Sequence, residues 1–192
     1  MLSLSNKHNT REAIVDTASR LFFTQGYHAT GLNQIIKDSD SPKGSLYYYF
    51  PRGKEELALT CINRTSEFVA ELLRHYAEKQ SSTTAMIQDF ILEVARKAEE
   101  TSFEGFVPFS FWVAVETSCV SDELRSACQS VFKDWRDVIM HRLLEEGVDE
   151  QIASDKASVI VSLYEGALLQ ALTCKSTQPL LAAVQVIPAI LG

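Results

Sequence analysis

No hydrophobic run in this chain reaches the roughly 20 residues that span a bilayer, and its N-terminus lacks the apolar core of a signal peptide. A cytoplasmic protein with no membrane partner is therefore expected. The four cysteines, Cys61, Cys119, Cys128 and Cys174, show no C-x-x-C spacing, so they are expected to be reduced and buried. His8, His28, His75 and His141 are scattered. With no H-E-x-x-H and no local Ser/His/Asp or Cys/His grouping, neither an enzyme nor a metal site is expected, and no cofactor is implied. No Gly-rich loop follows a strand, and no convincing strand exists, which leaves an all-α chain. Basic residues are also in deficit. Eighteen Lys/Arg against 25 Asp/Glu give a net charge of −7, which over the whole chain argues against a polyanionic partner.

The charge is unevenly spread. Residues 1–54 carry seven Lys/Arg and four Asp/Glu, a net +3, and residues 55–192 carry eleven and twenty-one, a net −10. One end of the molecule attracts a polyanion that the remainder repels. In the positive segment, Leu32, Ile35 and Ile36 recur at helical spacing after Thr30, which is expected to cap that helix. Ser39-Asp40-Ser41 breaks the pattern, and Asp40 tolerates a left-handed backbone. Ser41 is expected to cap a further helix, with Pro42 at its first position. In that helix Leu46 and Phe50 point inward, while Gly44 and Tyr48 lie opposite them. Lys43, Ser45, Tyr47 and Tyr49 flank the outer face. A glycine, tyrosines, a serine and a lysine without any acid suit a phosphate-lined groove: Tyr48 reaches base edges and the flanking residues reach phosphates. A partly buried aromatic helix is the bland alternative. Gly44 argues against it, since an interior helical glycine costs about 1 kcal/mol relative to alanine.

Residues Gly26–Leu57 resemble the DNA-binding segment of the TetR family of bacterial regulators, through Gly26-Tyr27-His28-Ala29-Thr30, Ile35, Gly44 to Phe50 and Lys54-Glu55-Glu56-Leu57. The extra Pro51-Arg52-Gly53 makes the segment most similar to the LmrA/YxaF branch. Asp40 and Ser41 stand where most members have Gly and Val, and Ile36 replaces a common Ala. The resemblance implies a three-helix helix-turn-helix domain over residues 1–53, and a helical ligand-binding and dimerisation domain over residues 54–192. It implies phosphate contacts by Tyr47, Tyr49 and Lys54 and base contacts by Lys43 and Tyr48. Thr30, Asn33, Gly44 and Ser45 complete the expected DNA-binding set. A homodimer on an inverted-repeat operator, acting as a repressor and released by a small aromatic effector, flavonoid-like or another planar aromatic, is the implied function.

Elsewhere, residues 1–8 are expected to form an arm whose Lys7 adds a phosphate contact, and Asn9 with Glu12 a capping box for the first long helix. A long amphipathic helix is expected from Lys54 to about Glu78, then helices ending near Thr101, from Ser121 to Glu146, from Asp149 to Thr173 and from Gln178 to Leu191. Aromatics gathered around an irregular run could line a cavity for a flat apolar ligand. Phe90, Phe106, Phe109, Trp112, Trp135 and Tyr164 are the candidates, with Glu116 as polar anchor. The last helix carries no charge, so a partner subunit is expected to cover it. The resemblance implies a four-helix dimer interface there, through Ile160, Tyr164, Ala167, Leu168, Ala171, Val184 and Ile187. A small-molecule-binding helical carrier without DNA binding is the rival reading. It keeps the cavity and leaves Gly44 and the tyrosine face without a purpose.

Overall fold

The computed structural model describes residues 4–103 and 111–192, apart from the side chains of residues 4–9, 111–113 and 118. Among the described residues there are nine helices and no strand: α1 (Leu4–Gln25), α2 (Leu32–Asp38), α3 (Lys43–Tyr49), α4 (Lys54–Lys79), α5 (Thr83–Glu100), α6 (Phe111–Ser118), α7 (Asp122–Glu145), α8 (Glu150–Cys174) and α9 (Gln178–Leu191). The all-α expectation is met. Packing divides the chain into two compact units, Met1–Thr65 with Phe109–Gln129, and Ser66–Pro108 with Ser130–Gly192. This division differs from one at residue 53, because the first part of α4, together with α6 and the start of α7, packs with the N-terminal helices.

In the first unit, α1 buries Ile14, Val15, Ala18, Leu21 and Phe22. It contacts α2, α3 and α6. Because α1 begins at Leu4, Asn9 lies inside the helix rather than at its start, and residues 4–8 are helical rather than an arm. Arg64 of α4 pairs with Glu12 at 3.2 Å and with Asp16, tying α4 to α1 across the surface. Cys61 sits beneath, its thiol 3.7 Å from the Val15 carbonyl.

In the second unit α9 lies against both α5 and α8. Ser82 caps α5 by accepting the Ala85 N–H, and Met86, Ile87, Phe90, Ile91, Val94, Ala95 and Ala98 form its buried stripe, as the spacing predicts. Asp149 caps α8 through the Gln151 and Ile152 N–H groups. Although no transmembrane run was expected, α8 is long and apolar enough to cross a membrane by length and composition. Its inward stripe, from Ala153 through Ile160 and Leu168 to Ala171, accounts for that apolarity as a core helix.

The cysteines divide unevenly. Cys61 and Cys128 are buried, but Cys119 and Cys174 are exposed, against the expectation that all four lie inside. Burial pushes the Cys61 thiol up to about 11. A pKa raised on folding stabilises the native state fully below the unfolded thiol value and less as pH climbs through about 11. At pH 8 a disulfide reagent is therefore expected to label Cys119 and Cys174 in the native protein, with Cys61 and Cys128 labelled only after unfolding. Rapid labelling of all four native thiols would contradict the buried environments.

Candidate nucleic-acid interface

The turn between α2 and α3 ends the first helix in a Schellman arrangement. Ser41 N–H donates to the Ile36 carbonyl and Asp40 N–H to the Lys37 carbonyl, each at 3.2 Å. Asp40 takes the left-handed position at φ 49°, so it does what glycine commonly does at this place. Ser41 is buried and its hydroxyl donates to the Ser39 carbonyl at 3.2 Å, so it is not the expected helix cap. Pro42 occupies the N-cap of α3, with no side-chain cap present.

Leu46 and Phe50 anchor α3 inside the unit. The opposite face is open. Tyr48 is 70% exposed and Tyr47 45%, Lys43 and Gly44 are exposed, and Ser45 and Tyr49 are half-buried. A Cβ placed on Gly44 would meet no atom within 4 Å, so nothing inside this chain requires a glycine there. The rings of Tyr48 and Tyr49 stand edge to face at 5.0 Å. Asn33 of α2 is exposed. These groups, with Lys43 as the local cation, make a face free of acids that can enter a groove and bond phosphates with hydroxyls and an ammonium.

Two expected contacts lie elsewhere. Thr30 is 1% exposed and its hydroxyl donates to the Gly26 carbonyl at 2.7 Å. It braces the α1–α2 connection and caps nothing; Gly31 is the N-cap of α2. A buried hydroxyl with a backbone partner is not presented to DNA. Lys54 opens α4, with its ammonium 4.3 Å from the centre of the Tyr27 ring and 3.5 Å from the His28 carbonyl. Burial lowers its pKa, and the Glu116 carboxylate partly opposes that shift. Arg11 of α1 lies 5.5 Å from the centre of the Phe50 ring. Arg52, from the extra Pro51-Arg52-Gly53, forms a two-pronged pair with Glu123 at 2.7 and 3.1 Å, and this hydrogen-bonded carboxylate raises its pKa.

The ligand candidates are dispersed. Phe90, Trp135 and Tyr164 meet around a cavity of about 10 Å³ in the second unit, no more than the space one water needs. Val69, Leu73 and Ile160 share its wall. The Tyr164 ring lies 5.0 Å from Phe90 and 6.4 Å from Trp135, centre to centre. Its hydroxyl is buried without a hydrogen-bond partner among the described residues, and burial drives its pKa well up. Phe106 and Phe109, and the side chain of Trp112, lie outside the described residues. Glu116 is not part of the cavity wall. It lies in the first unit, where it accepts the Tyr27 N–H at 2.5 Å, which corrects its expected role as ligand anchor. Sequence reasoning missed α6 entirely, and with it this contact; the one available signal was Gly26 at the end of α1.

The expected interface residues also need correction. Ile160, Tyr164, Ala167, Leu168, Ala171 and Ile187 are buried within the single chain, and Val184 is half-buried. They belong to the second unit's own core, where Ile160 and Tyr164 face the cavity walled by α4, α5 and α7. The apolar surface left open is different: Ile152 and Val159 on α8, each 50% exposed, and Val186 on α9, 44% exposed.

Comparison with known proteins fits this geometry. Residues 14–61 match the family model described as bacterial regulatory proteins, tetR family, and residues 83–186 match the C-terminal domain of LmrA/YxaF-like transcriptional regulators. The chain is 41% identical over 187 residues to the uncharacterised HTH-type transcriptional regulator YxaF of Bacillus subtilis, covering 97% of each chain. It is 39% identical to the HTH-type transcriptional regulator LmrA of the same organism, over 95% of this chain and 97% of that one. Among solved structures, reduced E. coli NemR superposes with a TM-score of 0.80 at 24% identity, over 95% of this chain and 98% of that one, a likeness of fold.

Proposed function

The chain belongs to the TetR family of helix-turn-helix transcriptional regulators, on the LmrA/YxaF-like branch, and from that premise we propose that it is a homodimeric repressor released from its operator by a small effector. It is a DNA-binding regulator and not an enzyme, as are the relatives it matches. The observation that carries the proposal is the outer face of α3, where Gly44, Tyr47 and Tyr48 are exposed in the positively charged quarter of an acidic protein. In this reading Lys43 and Tyr48 touch bases, and Ser45, Tyr47, Tyr49 and Lys54 hold phosphates, with Asn33 beside them. Lys54 reaches a phosphate by leaving the Tyr27 ring, a weak contact on a half-exposed side chain. Residues 1–53, with Lys54 at the start of α4, supply the DNA contacts, and the remainder supplies effector binding and dimerisation, in the cytoplasm where the chromosome lies.

The effector reading rests on Phe90, Trp135 and Tyr164. Three rings and aliphatic neighbours favour an apolar, planar aromatic molecule, flavonoid-like in shape, over an ion. The present cavity is far below the several hundred Å³ such a ligand occupies, so binding must part the helices around it. That coupling gives the release mechanism: α4 and α7 contribute residues to both units, and a ligand that favours the opened second unit biases the half-site spacing. For B-DNA the two recognition helices must sit about 34–36 Å apart, or a multiple of that.

Titrating operator binding against salt tests the DNA contacts. With Lys54 of each of two protomers neutralising a phosphate, the slope of log K against log salt should be about −2. A slope near zero would refute phosphate recognition by this face.

A further inference from the structure

We infer that Glu116, outside the recognition motif and outside the cavity, is a positioning residue for operator binding: it holds the α1–α2 connection on which the helix-turn-helix stands. The backbone leaves α1 at Gly26 with φ 86°, and the Gly26 N–H returns to the Phe22 carbonyl at 3.1 Å. The Gly26 carbonyl accepts the Thr30 hydroxyl, and the Thr30 N–H donates to the Tyr27 carbonyl at 3.2 Å. The Tyr27 N–H has no acceptor within this turn, and the Glu116 carboxylate of α6 supplies one, 89 residues away in sequence. The approach depends on Gly26 lacking a side chain. A Cβ there would stand 2.6 Å and 2.7 Å from the two Glu116 carboxylate oxygens and push them off. Glycine at 26 thus serves both the left-handed turn and the docking of Glu116.

What the clamp fixes bears on DNA. The Tyr27 ring is nearly buried, 5.5 Å from Phe22, and it carries the Lys54 ammonium on its face. Three residues further on, Thr30 leads into α2. Without Glu116 the buried Tyr27 N–H loses its acceptor, and the connection can relax, taking Lys54 and the start of α2 with it. Ordering these groups then has to be supplied when DNA binds, which weakens affinity. The inference rests on the operator reading above, but its contact is testable without DNA.

The experiment uses the full-length protein and the duplex that wild type selects from a random-sequence pool. Glu116→Ala should weaken binding about tenfold, and Glu116→Gln, which keeps an acceptor oxygen, should stay within about threefold of wild type. The Tyr27 amide proton, read by NMR at a temperature where each variant is folded, should move upfield and exchange faster in Glu116→Ala, with Gln largely restoring it. Gly26→Ala should lose affinity too, and adding Glu116→Ala to it should cost little more. Equal binding by wild type and Glu116→Ala would overturn the inference, as would an unchanged Tyr27 amide, equal losses for Ala and Gln, or additive losses in the double variant. If wild type selects no duplex, the operator reading itself is refuted, whereas the amide still reports whether the contact exists.

Discussion

Gly44→Leu is expected to reduce operator affinity about a hundredfold or more while leaving the protein as stable as before or slightly more so. Both halves follow from one observation: a Cβ at Gly44 meets nothing within 4 Å, so this chain has room for a larger side chain. Replacing a helical glycine removes a backbone penalty of about 1 kcal/mol, and leucine is a good helix former. An exposed leucine on α3 should therefore cost nothing in folding. Against DNA the same side chain stands between the helix backbone and the base edges. Interfaces pack as densely as interiors, so it must either lift α3 out of the groove or displace Tyr48 and its neighbours. Losing those contacts on both protomers is worth about 3 kcal/mol or more, which sets the hundredfold figure. Fluorescence anisotropy on the selected duplex with a thermal melt of the free protein measures the two effects together. A variant that binds as tightly as wild type would mean that α3 does not enter the groove by this face.

The sequence discloses the parts of this molecule that local chemistry decides. The apolar stripe of α5 repeats at helical spacing and is buried residue for residue. Asp40 is among the few non-glycine types at ease in a left-handed turn, and it sits in one. Gly44, an unfavourable residue inside a helix, marked the outer face of α3. Features that depend on which of several acceptors a hydroxyl chooses, or on partners far along the chain, stayed hidden. Thr30 and Ser41 look like helix caps because serine and threonine usually serve there, yet both hydroxyls turn to carbonyls of the preceding connection. Glu116 sits in an apolar stretch and resembles a pocket anchor until α6 brings it to Tyr27. The apolar stripe of α8 reads equally as core or as interface, and periodicity cannot distinguish a neighbour in the same chain from one in another. That last ambiguity has a direct experimental consequence.

If the dimer is held by α8 and α9, it must use residues that the single chain leaves open, and Val159→Glu with Val186→Glu should dissociate it. Ile152, Val159, Leu163 and Gly166 follow one another at seven, four and three residues, a continuous line along α8, and all four are exposed or half-exposed. Val186 contributes from α9, a helix with no charged residue at all. Since both valines are about half in water already, glutamates there face solvent in a monomer and cost it little. Across a twofold interface the same four carboxylates would be buried without counter-ions, at several kcal/mol in total, against which a protomer interface has little margin. Sedimentation at micromolar concentration should find a monomer with unchanged helicity. Operator affinity should fall at least about a hundredfold, because one protomer brings only its own half of the contacts to an inverted repeat. Ile160→Glu supplies the contrast: at 2% exposure it lies within the chain's own core, so it should lower the melting temperature steeply rather than yield a folded monomer. A double glutamate variant that still sediments as a dimer would place the interface off these two helices, while a folded, monomeric Ile160→Glu would mean that α8 turns its buried stripe toward the partner after all.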